Sequence, residues 1–338
     1  MARILVTGAS GYIGSVLVDQ LLKSGHQVTG LDWMVFGDFP LKPFRDDPNF
    51  ELMQQDLREL PARALRNIDV VCDLAALPNE ACCELDSALA REINLTARKR
   101  LVRVAKAMGV KRYVCMTSCC HYDRDDGEAA DEQTPLATPS RYTGYHDEVE
   151  QALLSSAAEG FSVTVLRAAS TYGLSRRMRF DLMANAVILH AFKTRRLAVR
   201  GDGEASLPFI HVRDLCRAVE AVIAAPVYKV GGEIFNAASE NKSVNEVVAA
   251  ACAVLPKPVS VSRTEAEPGR PVQPVVFQKL LERTDFSPRI TLEQGMLELY
   301  IALKGGRTEP SPVTHTEKHY ASLIGKSAGK AAAERRVQ

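Results

Sequence analysis

The sequence predicts an α/β fold with a doubly wound parallel sheet and a smaller C-terminal substrate-binding domain. Two observations support this prediction. In the first half of the chain, short β-rich runs alternate with segments of helical periodicity, which is typical of a parallel sheet covered by helices on both faces. A glycine-rich turn lies between the first strand and the first helix, and doubly wound sheets bind ligands outside the carboxyl ends of their strands.

Six strands are expected before residue 172, each followed by turn residues or by a helical pattern. The segment "GSVLVDQLLKSG" follows the first strand with helical spacing of its apolar residues and ends at Gly25, a natural helix stop. A longer helical pattern, "ALAREINLTARKRLVRVAKAMG", precedes the fifth strand. The expected strands are residues 3–8, 26–32, 50–56, 69–76, 112–118 and 161–169.

The composition argues against some classes of function. The chain has 338 residues and a net charge of +1, so no overall electrostatic field would attract nucleic acid or an anionic membrane. No run of about 18 apolar residues predicts a membrane span, and "MARILVTGAS" lacks the apolar core of a signal peptide. We therefore expect a cytoplasmic protein with neither nucleic acid nor membrane as a partner.

The turn "TGASGYIG" places Gly8, Gly11 and Gly14 between a strand and a helix. Glycine allows a tight turn and lets the backbone approach a pyrophosphate, and the N-terminus of the following helix favours negative charge. Asp32 ends the second strand, where a carboxylate accepts hydrogen bonds from the adenosine ribose and repels the extra phosphate of NADP. The turn and Asp32 together predict a site for NAD.

Several motifs resemble, in the same order, those of the extended short-chain dehydrogenase/reductase family in its NAD-dependent epimerase/dehydratase branch. The motifs are "TGASGYIG", "QQDLRE", "DLAA", "EINLTA", "MTSCCHY", "RYTGYHDEVE", "LRAASTYG" and "FIHVRDL". The resemblance covers about residues 2–305 and implies a Rossmann-like fold and, frequently, a homodimer. Besides the three glycines and Asp32, it implies that the cofactor-binding residues are Tyr12, Ile13, Asp56, Leu57, Ala75, Ala76, Asn94, Thr117, Tyr142 and His146.

The chain is expected to divide into three parts. Residues 1–172 form the NAD-binding domain, and residues 173–304 form the substrate-binding region. Within that region, "PFIHVRDLCRAVEAVI" and "EIFNAAS" are expected to return to the main sheet. Residues 305–338 are dominated by Gly, Ser, Pro and Lys/Arg, so they are expected to be a flexible or partner-docked tail.

The resemblance also implies a catalytic set. In the family a Ser or Thr, a Tyr and a Lys act together, and the Lys follows the Tyr by one helical turn so that both lie on one helix face. Ser118 matches the serine that holds the substrate oxygen, and Tyr142 matches the tyrosine that exchanges a proton with the substrate hydroxyl. His146 stands where the lysine is expected.

The histidine changes the electrostatics of this set, because an imidazole with a pKa of about 6.5 is mostly neutral at pH 7 and cannot lower the pKa of a tyrosine by charge. Three interpretations stay open. His146 still binds the nicotinamide ribose and becomes charged beside the tyrosinate, or it belongs to a proton relay for altered chemistry, or the reaction has been lost. The retention of Ser118, Tyr142 and Asp32 argues against a loss.

Many relatives act on nucleotide-linked sugars, and the positions that would bind the diphosphate differ here. Ser170 stands where Asn is usual, Leu207 where Arg is usual, and a late Arg/Asp pair is matched by Glu267 and Arg270. Replacing Arg by Leu removes a charge-assisted contact with phosphate, so whether the substrate carries a nucleotide stays open. Arginines in "GLSRRMRFD" offer compensation. The expected substrate-binding residues are Pro78, Cys120, His121, Ser170, Arg176, Arg177 and Arg179.

The eight cysteines include the adjacent pairs Cys82–Cys83 and Cys119–Cys120. Adjacent cysteines rarely bridge each other, and no CxxC pair predicts a zinc site. The pairs are expected to fill tight loops as small apolar side chains, with Cys120 or His121 near the substrate. No metal is predicted, and reduced thiols fit a cytoplasmic protein.

The sequence thus predicts an NAD-dependent epimerase/dehydratase-type oxidoreductase. Its substrate would be sugar-like and anionic, and hydride would leave and return at the carbon of a secondary hydroxyl with Tyr142 as acid/base. One alternative is a simple NAD-dependent dehydrogenase or reductase whose cofactor exchanges. The other is a non-catalytic NAD-binding protein that regulates a partner or serves as a scaffold.

Overall fold

The computed structural model describes residues 1–119, 122, 128–137, 140–265 and 273–324. Within these residues the strands are β1 (Arg3–Thr7), β2 (Gln27–Asp32), β3 (Phe50–Gln54), β4 (Val70–Asp73), β5 (Arg112–Ser118), β6 (Ser162–Ala168), β7 (Ser170–Tyr172), β8 (Arg196–Arg200), β9 (Ser206–His211), β10 (Glu233–Ala237), β11 (Glu240–Ser243) and β12 (Ser260–Thr264). The helices are α1 (Gly14–Lys23), α2 (Glu80–Leu85), α3 (Ser87–Arg91), α4 (Arg98–Ala107), α5 (Arg141–Leu154), α6 (Met183–Thr194), α7 (Val212–Ala224), α8 (Val227–Val230), α9 (Val244–Ala253), α10 (Gln278–Arg283) and α11 (Leu292–Lys304).

Seven parallel strands form the main sheet, in the order β3-β2-β1-β4-β5-β6-β10. The chain runs outward from β1 to β3 and then returns to β4 on the other side of β1. This reversal is the doubly wound arrangement that the sequence predicts, and it opens a crevice at the carboxyl ends of β1 and β4. All six strands expected before residue 172 belong to this sheet, and "EIFNAAS" joins it as β10, as expected.

Helices cover both faces of the main sheet. Along β1, Ile4 and Val6 face the core that contains α1 and α7, whereas Leu5 faces the core that contains α4 and α5. Successive side chains of a strand point to opposite faces, so a strand that is buried on both sides reads as a continuous apolar run. The run "ILV" in β1 has this property.

A smaller region packs beside the carboxyl edge of the main sheet. It contains a three-stranded sheet in the order β11-β9-β7 and a two-stranded sheet of β8 and β12. Helices α6, α9 and α11 surround these strands and share one apolar core with them. The prediction for "PFIHVRDLCRAVEAVI" was therefore wrong for its strand, because β9 pairs with β7 and β11 instead of returning to the main sheet.

The chain after α11 packs back onto the NAD-binding domain. Residues 312–314 form a 3₁₀ turn and residues 316–324 are helical. The Nε2 atom of His319 lies 2.8 Å from the carbonyl oxygen of Val35, in the loop after β2. This part of the expected tail is therefore docked on its own chain, and residues 325–338 lie outside the described residues. Across the described part of the chain, no helix is both long and apolar enough to span a membrane.

Candidate active site

The turn between β1 and α1 requires glycine. Gly8 has a φ of +67°, which L-residues with side chains rarely adopt. A Cβ atom at Gly14 would lie 2.1 Å from the carbonyl oxygen of Gly8, and the N–H of Gly11 donates to the same oxygen at 3.0 Å. The backbone is therefore packed as closely as a diphosphate-binding turn needs to be.

Asp32 lies beside this turn at the end of β2. Its carboxylate accepts hydrogen bonds from the backbone N–H groups of Ser10 at 3.0 Å and Met34 at 2.7 Å. Burial raises the pKa of Asp32, and these two hydrogen bonds oppose that shift. Each carboxylate oxygen has a second lone pair, so the carboxylate is held in place and can still accept hydrogen bonds from the diol of an adenosine ribose.

The next strand contributes a second acidic position. Asp56 follows β3 and accepts a hydrogen bond from the backbone N–H of Arg58 at 2.9 Å, while the guanidinium of Arg58 pairs with its carboxylate at 2.6 Å. Burial alone would raise the pKa of Asp56, but the hydrogen bonds and charge of Arg58 lower it on balance. The same guanidinium stacks over the ring of Trp33, 5.1 Å from its centroid. Trp33 and Asp56, joined through Arg58, thus form one fixed wall of the crevice.

The floor of the crevice is the chain that follows β4. The hydroxyl oxygen of Thr7 accepts hydrogen bonds from the backbone N–H groups of Leu74 and Ala75, both at 3.0 Å. Asn94 is buried and binds Leu77 twice, accepting from its N–H at 2.7 Å and donating to its carbonyl at 3.0 Å. The amide of Asn94 therefore holds the backbone of Leu77 in place from the side away from the crevice. The contact of Asn94 with the cofactor, which the resemblance implied, stays a prediction.

These parts enclose one cleft between β1, β2, β4 and the chain after β7. The structure brings many of the predicted residues together in its lining: Gly8, Gly11, Tyr12, Ile13, Gly14, Asp32, Asp56, Leu57, Ala75, Ala76, Pro78, Arg177 and Arg179. Of the other predicted residues that the structure describes, the following do not line it: Asn94, Thr117, Ser118, Tyr142, His146, Ser170 and Arg176.

The three arginines after β7 separate into two places. Arg177 and Arg179 line the dinucleotide cleft, and Arg179 pairs with Asp181 at 2.7 Å. Arg176 points elsewhere, because its guanidinium stacks over Phe44 and lies 3.7 Å from Asp19. The three arginines that were predicted as substrate ligands therefore lie in two places, and their contact with the substrate stays a prediction.

Helix α5 carries Tyr142 and His146 on one face. Ser140 caps its first turn in a capping box with Thr143, and the backbone N–H of Tyr142 donates to Glu80 at 2.9 Å. The rings of Tyr142 and His146 meet edge to face with their centroids 4.4 Å apart, and His146 is only 3% exposed. Tyr142 packs in a cluster with Leu77, Cys82, Cys83, Ile93 and Tyr320, of which Leu77, Ile93 and Tyr320 also line the cleft. The tyrosine therefore borders the wall of the cleft.

A buried ion pair ties the same helix to the sheet. Glu150 lies 2.6 Å from the guanidinium of Arg167 on β6 and accepts a hydrogen bond from the hydroxyl of Thr117 at 2.6 Å. The Thr117 side chain is thus committed to α5, whereas the resemblance implied that it contacts the cofactor. This network fixes the register of α5 against β5, and Ser118 follows as the last residue of β5.

The remaining substrate predictions are only partly described. Ser170 begins β7, and Leu207 lies in β9 against the core of the smaller region. Cys120, His121, Glu267 and Arg270 lie outside the described residues. Cys82 and Cys83 lie buried in α2, so the prediction that they fill a tight loop was wrong. Burial raises their pKa values to about 11 and about 12, which favours the protonated thiols.

Sequence reasoning missed several residues of the cleft. Trp33 and Phe36 belong to the loop after β2, and the position of Trp33 directly after Asp32 was a usable signal. Thr316 and Tyr320 also line the cleft, but they lie in a segment whose composition predicted a mobile tail. No local pattern there indicated that the chain returns to the NAD-binding domain.

The fold and the cleft together define a dinucleotide-binding α/β protein. Residues 4–238 match the model of the NAD dependent epimerase/dehydratase family. UDP-N-acetyl-alpha-D-glucosaminuronate decarboxylase of Bacillus cytotoxicus is 30% identical over 325 residues, which cover 88% of this chain and 96% of that protein. The dTDP-glucose 4,6-dehydratase of Streptomyces griseus is 29% identical over 242 residues, covering 68% and 73%.

Comparison with solved structures also finds proteins that bind NAD and a nucleotide sugar. MoeE5, in complex with UDP-glucuronic acid and NAD, superposes with a TM-score of 0.78 at 26% sequence identity, covering 90% of this chain and 99% of MoeE5. The chain belongs to the NAD-dependent epimerase/dehydratase family, and it is accordingly an NAD-dependent enzyme of that type. The predictions of family, fold class, enzyme class and cofactor are confirmed.

Proposed function

We propose that the enzyme acts on a nucleoside-diphosphate sugar that carries a further negative charge. The observation that carries this proposal is the likeness over 96% of the length of a UDP-linked sugar-acid decarboxylase. MoeE5, which was solved with UDP-glucuronic acid, supports the same substrate class. Leu207 offers no charge to a diphosphate, so this substrate must be bound by other groups than the arginine usual at that position.

The reaction begins at a secondary hydroxyl of the sugar. NAD would be held by the glycine turn and Asp32, and it would supply the acceptor for the hydride of the sugar carbon and the donor for its return. In the proposal, Tyr142 takes the hydroxyl proton onto its phenolate oxygen as the C–H bond breaks, and Ser118 donates a hydrogen bond to the same sugar oxygen. Tyr142 gives the proton back when the carbonyl is reduced.

His146 has the role of a charge partner in this scheme. Its ring contacts the ring of Tyr142 at a centroid distance of 4.4 Å. A protonated imidazole at this distance stabilises the phenolate and lowers the pKa of the tyrosine, as the lysine of the family does. The pair Glu150–Arg167 and the contact of Glu80 with the Tyr142 backbone hold the helix while the proton moves.

The replacement Tyr142→Phe tests the mechanism. With a panel of UDP- and dTDP-linked sugars and sugar acids, we expect wild-type turnover and a loss of about 1,000-fold or more in the variant, while NAD affinity stays within about two-fold. Tyr145→Phe on the same helix is the matched control and should keep full activity. Equal turnover by wild type and Tyr142→Phe would disprove the acid/base role.

The alternative of a non-catalytic NAD-binding protein disagrees with the relatives of the chain, which include a UDP-linked sugar-acid decarboxylase and a dTDP-glucose dehydratase. The homodimer implied by the resemblance and the cytoplasmic location stay predictions, and the mass of the purified protein in solution would test the first.

A further inference from the structure

Arg177 is an unusual residue for the wall of a cleft, because it is buried and the opposite charges near it, on Asp181 and Asp32, act on it without a direct ion pair. Its side chain is 2% exposed. Among the described residues, no carboxylate lies within ion-pair distance of its guanidinium, and its Nε atom is buried with no hydrogen-bond partner. Burial, with the charge of Arg179, lowers the pKa of Arg177 to about 10. By contrast, the neighbouring Arg179 has Asp181 as its partner.

A buried guanidinium of this kind is costly unless something pairs with it. Arg177 faces the same cleft as the glycine turn at Gly11 and the helix start at Gly14, where the backbone N–H groups favour negative charge. Because neither Asp181 nor Asp32 forms a direct ion pair with Arg177, we expect a ligand to supply the negative charge that contacts the guanidinium. Arginine suits this role because its planar group can bind phosphate oxygens at two points.

Two distant parts of the chain fix the guanidinium. The ring of Phe36, in the loop after β2, lies 3.7 Å from its Cζ atom, and the hydroxyl oxygen of Thr316 accepts a hydrogen bond from its Nη2 at 2.9 Å. We call residues 312–324 the C-terminal strap. His319 and Tyr320 anchor the strap, through the carbonyl oxygen of Val35 at 2.8 Å and the ring of Phe36 at 5.4 Å.

We propose that Arg177 binds the diphosphate of the NAD cofactor and that the C-terminal strap, through Thr316, holds the guanidinium in position for it. The proposal rests on the proposed function, because it requires NAD in this cleft. The strap also adds Tyr320 to the wall next to Phe36. It thereby makes cofactor binding depend on Thr316, which lies 139 residues further along the chain than the arginine.

The test uses the single tryptophan of the chain, Trp33, which lines the cleft. Its fluorescence reports the binding of NAD, of ADP-ribose, which keeps the diphosphate, and of adenosine, which lacks it. In Arg177→Met we expect affinity for NAD and ADP-ribose to fall about ten- to hundred-fold, the range of a lost charge-assisted hydrogen bond, with affinity for adenosine unchanged. Arg177→Lys should recover part of the loss.

The strap is tested in the same assay. Thr316→Val keeps the shape of the side chain but removes the acceptor for Arg177, and we expect a loss of about three- to ten-fold for NAD and ADP-ribose. Lys318→Ala is the matched control, because Lys318 is an exposed residue of the strap. Its affinities should equal those of the wild type.

A second readout separates a ligand-binding arginine from a structural one. Without ligand, Arg177→Met should unfold at the same temperature as the wild type or higher, because the variant no longer buries an unpaired charge. A lower unfolding temperature together with unchanged affinity for ADP-ribose would overturn the proposal. Weaker binding of UDP with unchanged ADP-ribose binding would also overturn it, by assigning Arg177 to the substrate. If the wild type bound neither NAD nor ADP-ribose, the proposed function itself would fail.

Discussion

The cleft at the glycine turn and helix α5, which carries the proposed catalytic pair, are built in different ways. The cleft depends on backbone geometry, with Gly14 packed on the carbonyl of Gly8 and Asp32 fixed by two backbone N–H groups. Helix α5 depends on the chemistry of two side chains, Tyr142 and His146, which the fold positions but does not specify. A site made by close backbone contacts tolerates few replacements, whereas a side-chain pair can change chemistry without any change in fold.

The anchoring of α5 supports this distinction. Glu150 pairs with Arg167 in the buried interior, and the helix keeps its capping box at Ser140. The helix is therefore held in the position that the family requires even though the lysine is absent. In the proposed mechanism, the replacement by His146 changes the proton chemistry, while the anchoring of α5 keeps the architecture intact.

The largest difference in stability and NAD binding is expected between alanine replacements of Gly14 and Gly144. In Gly14→Ala the new Cβ would meet the Gly8 carbonyl at 2.1 Å, so we expect the free energy of unfolding to fall by about 1–3 kcal/mol and NAD binding to be lost. Gly144 lies in α5 with open space around it, so Gly144→Ala should raise stability by about 0.5–1 kcal/mol. Chemical denaturation and NAD titration measure both effects, and equal behaviour of the two variants would refute the contrast.

A smaller effect is expected at Asp32. In Asp32→Asn the loss of charge weakens the hydrogen bonds to the adenosine ribose, so affinity for NAD should fall about ten-fold or more. The preference for NAD over NADP should shrink, because the carboxylate no longer repels the extra phosphate. Asp46→Asn, at an exposed position between β2 and β3, is the control for charge alone. An unchanged NAD-to-NADP ratio in Asp32→Asn would argue against this role.

The smallest effect is expected for His146→Lys, which restores the lysine that the family has at this position. If His146 acts as a charged partner of Tyr142, wild-type activity should fall as rising pH deprotonates the imidazole, whereas a lysine stays charged up to about pH 10. His146→Lys should therefore retain or increase activity by a few-fold and remove the alkaline decline. The pH profile of kcat measures this, with His190→Lys on the exposed side of α6 as a control. Complete loss of activity in His146→Lys would favour the proton relay.

Sequence alone was sufficient for the parts of the molecule with a strong local signal. The alternation of strands and helices predicted the main sheet, and the glycine turn with Asp32 predicted the cofactor site. The pairing of β9 was missed because its apolar residues fit a strand in either sheet, and periodicity does not identify a strand's neighbours. The separation of Arg176 from Arg177 and Arg179 was not predicted, because a run of arginines does not indicate which way each side chain points.

The packing of the C-terminal strap could not be predicted from its amino-acid composition. Thr316 and Tyr320 are positioned by contacts with residues that are distant in sequence, among them Arg177 and Phe36. A segment rich in Gly, Ser, Pro and Lys predicts mobility when the chain is considered in isolation. Its docking depends on an apolar surface that another part of the chain provides.

The most direct test of the proposed NAD site is to identify the small molecules that remain bound to the purified protein. The protein would be washed, denatured and analysed for released nicotinamide nucleotide, its redox state and any other small molecule. We predict NAD or NADH that appears only on denaturation, at close to one per chain, as expected for a cofactor that is reduced and reoxidised within one turnover. A protein that releases no nicotinamide and binds neither NAD nor NADP when they are added would contradict the account built on Gly8, Gly14 and Asp32.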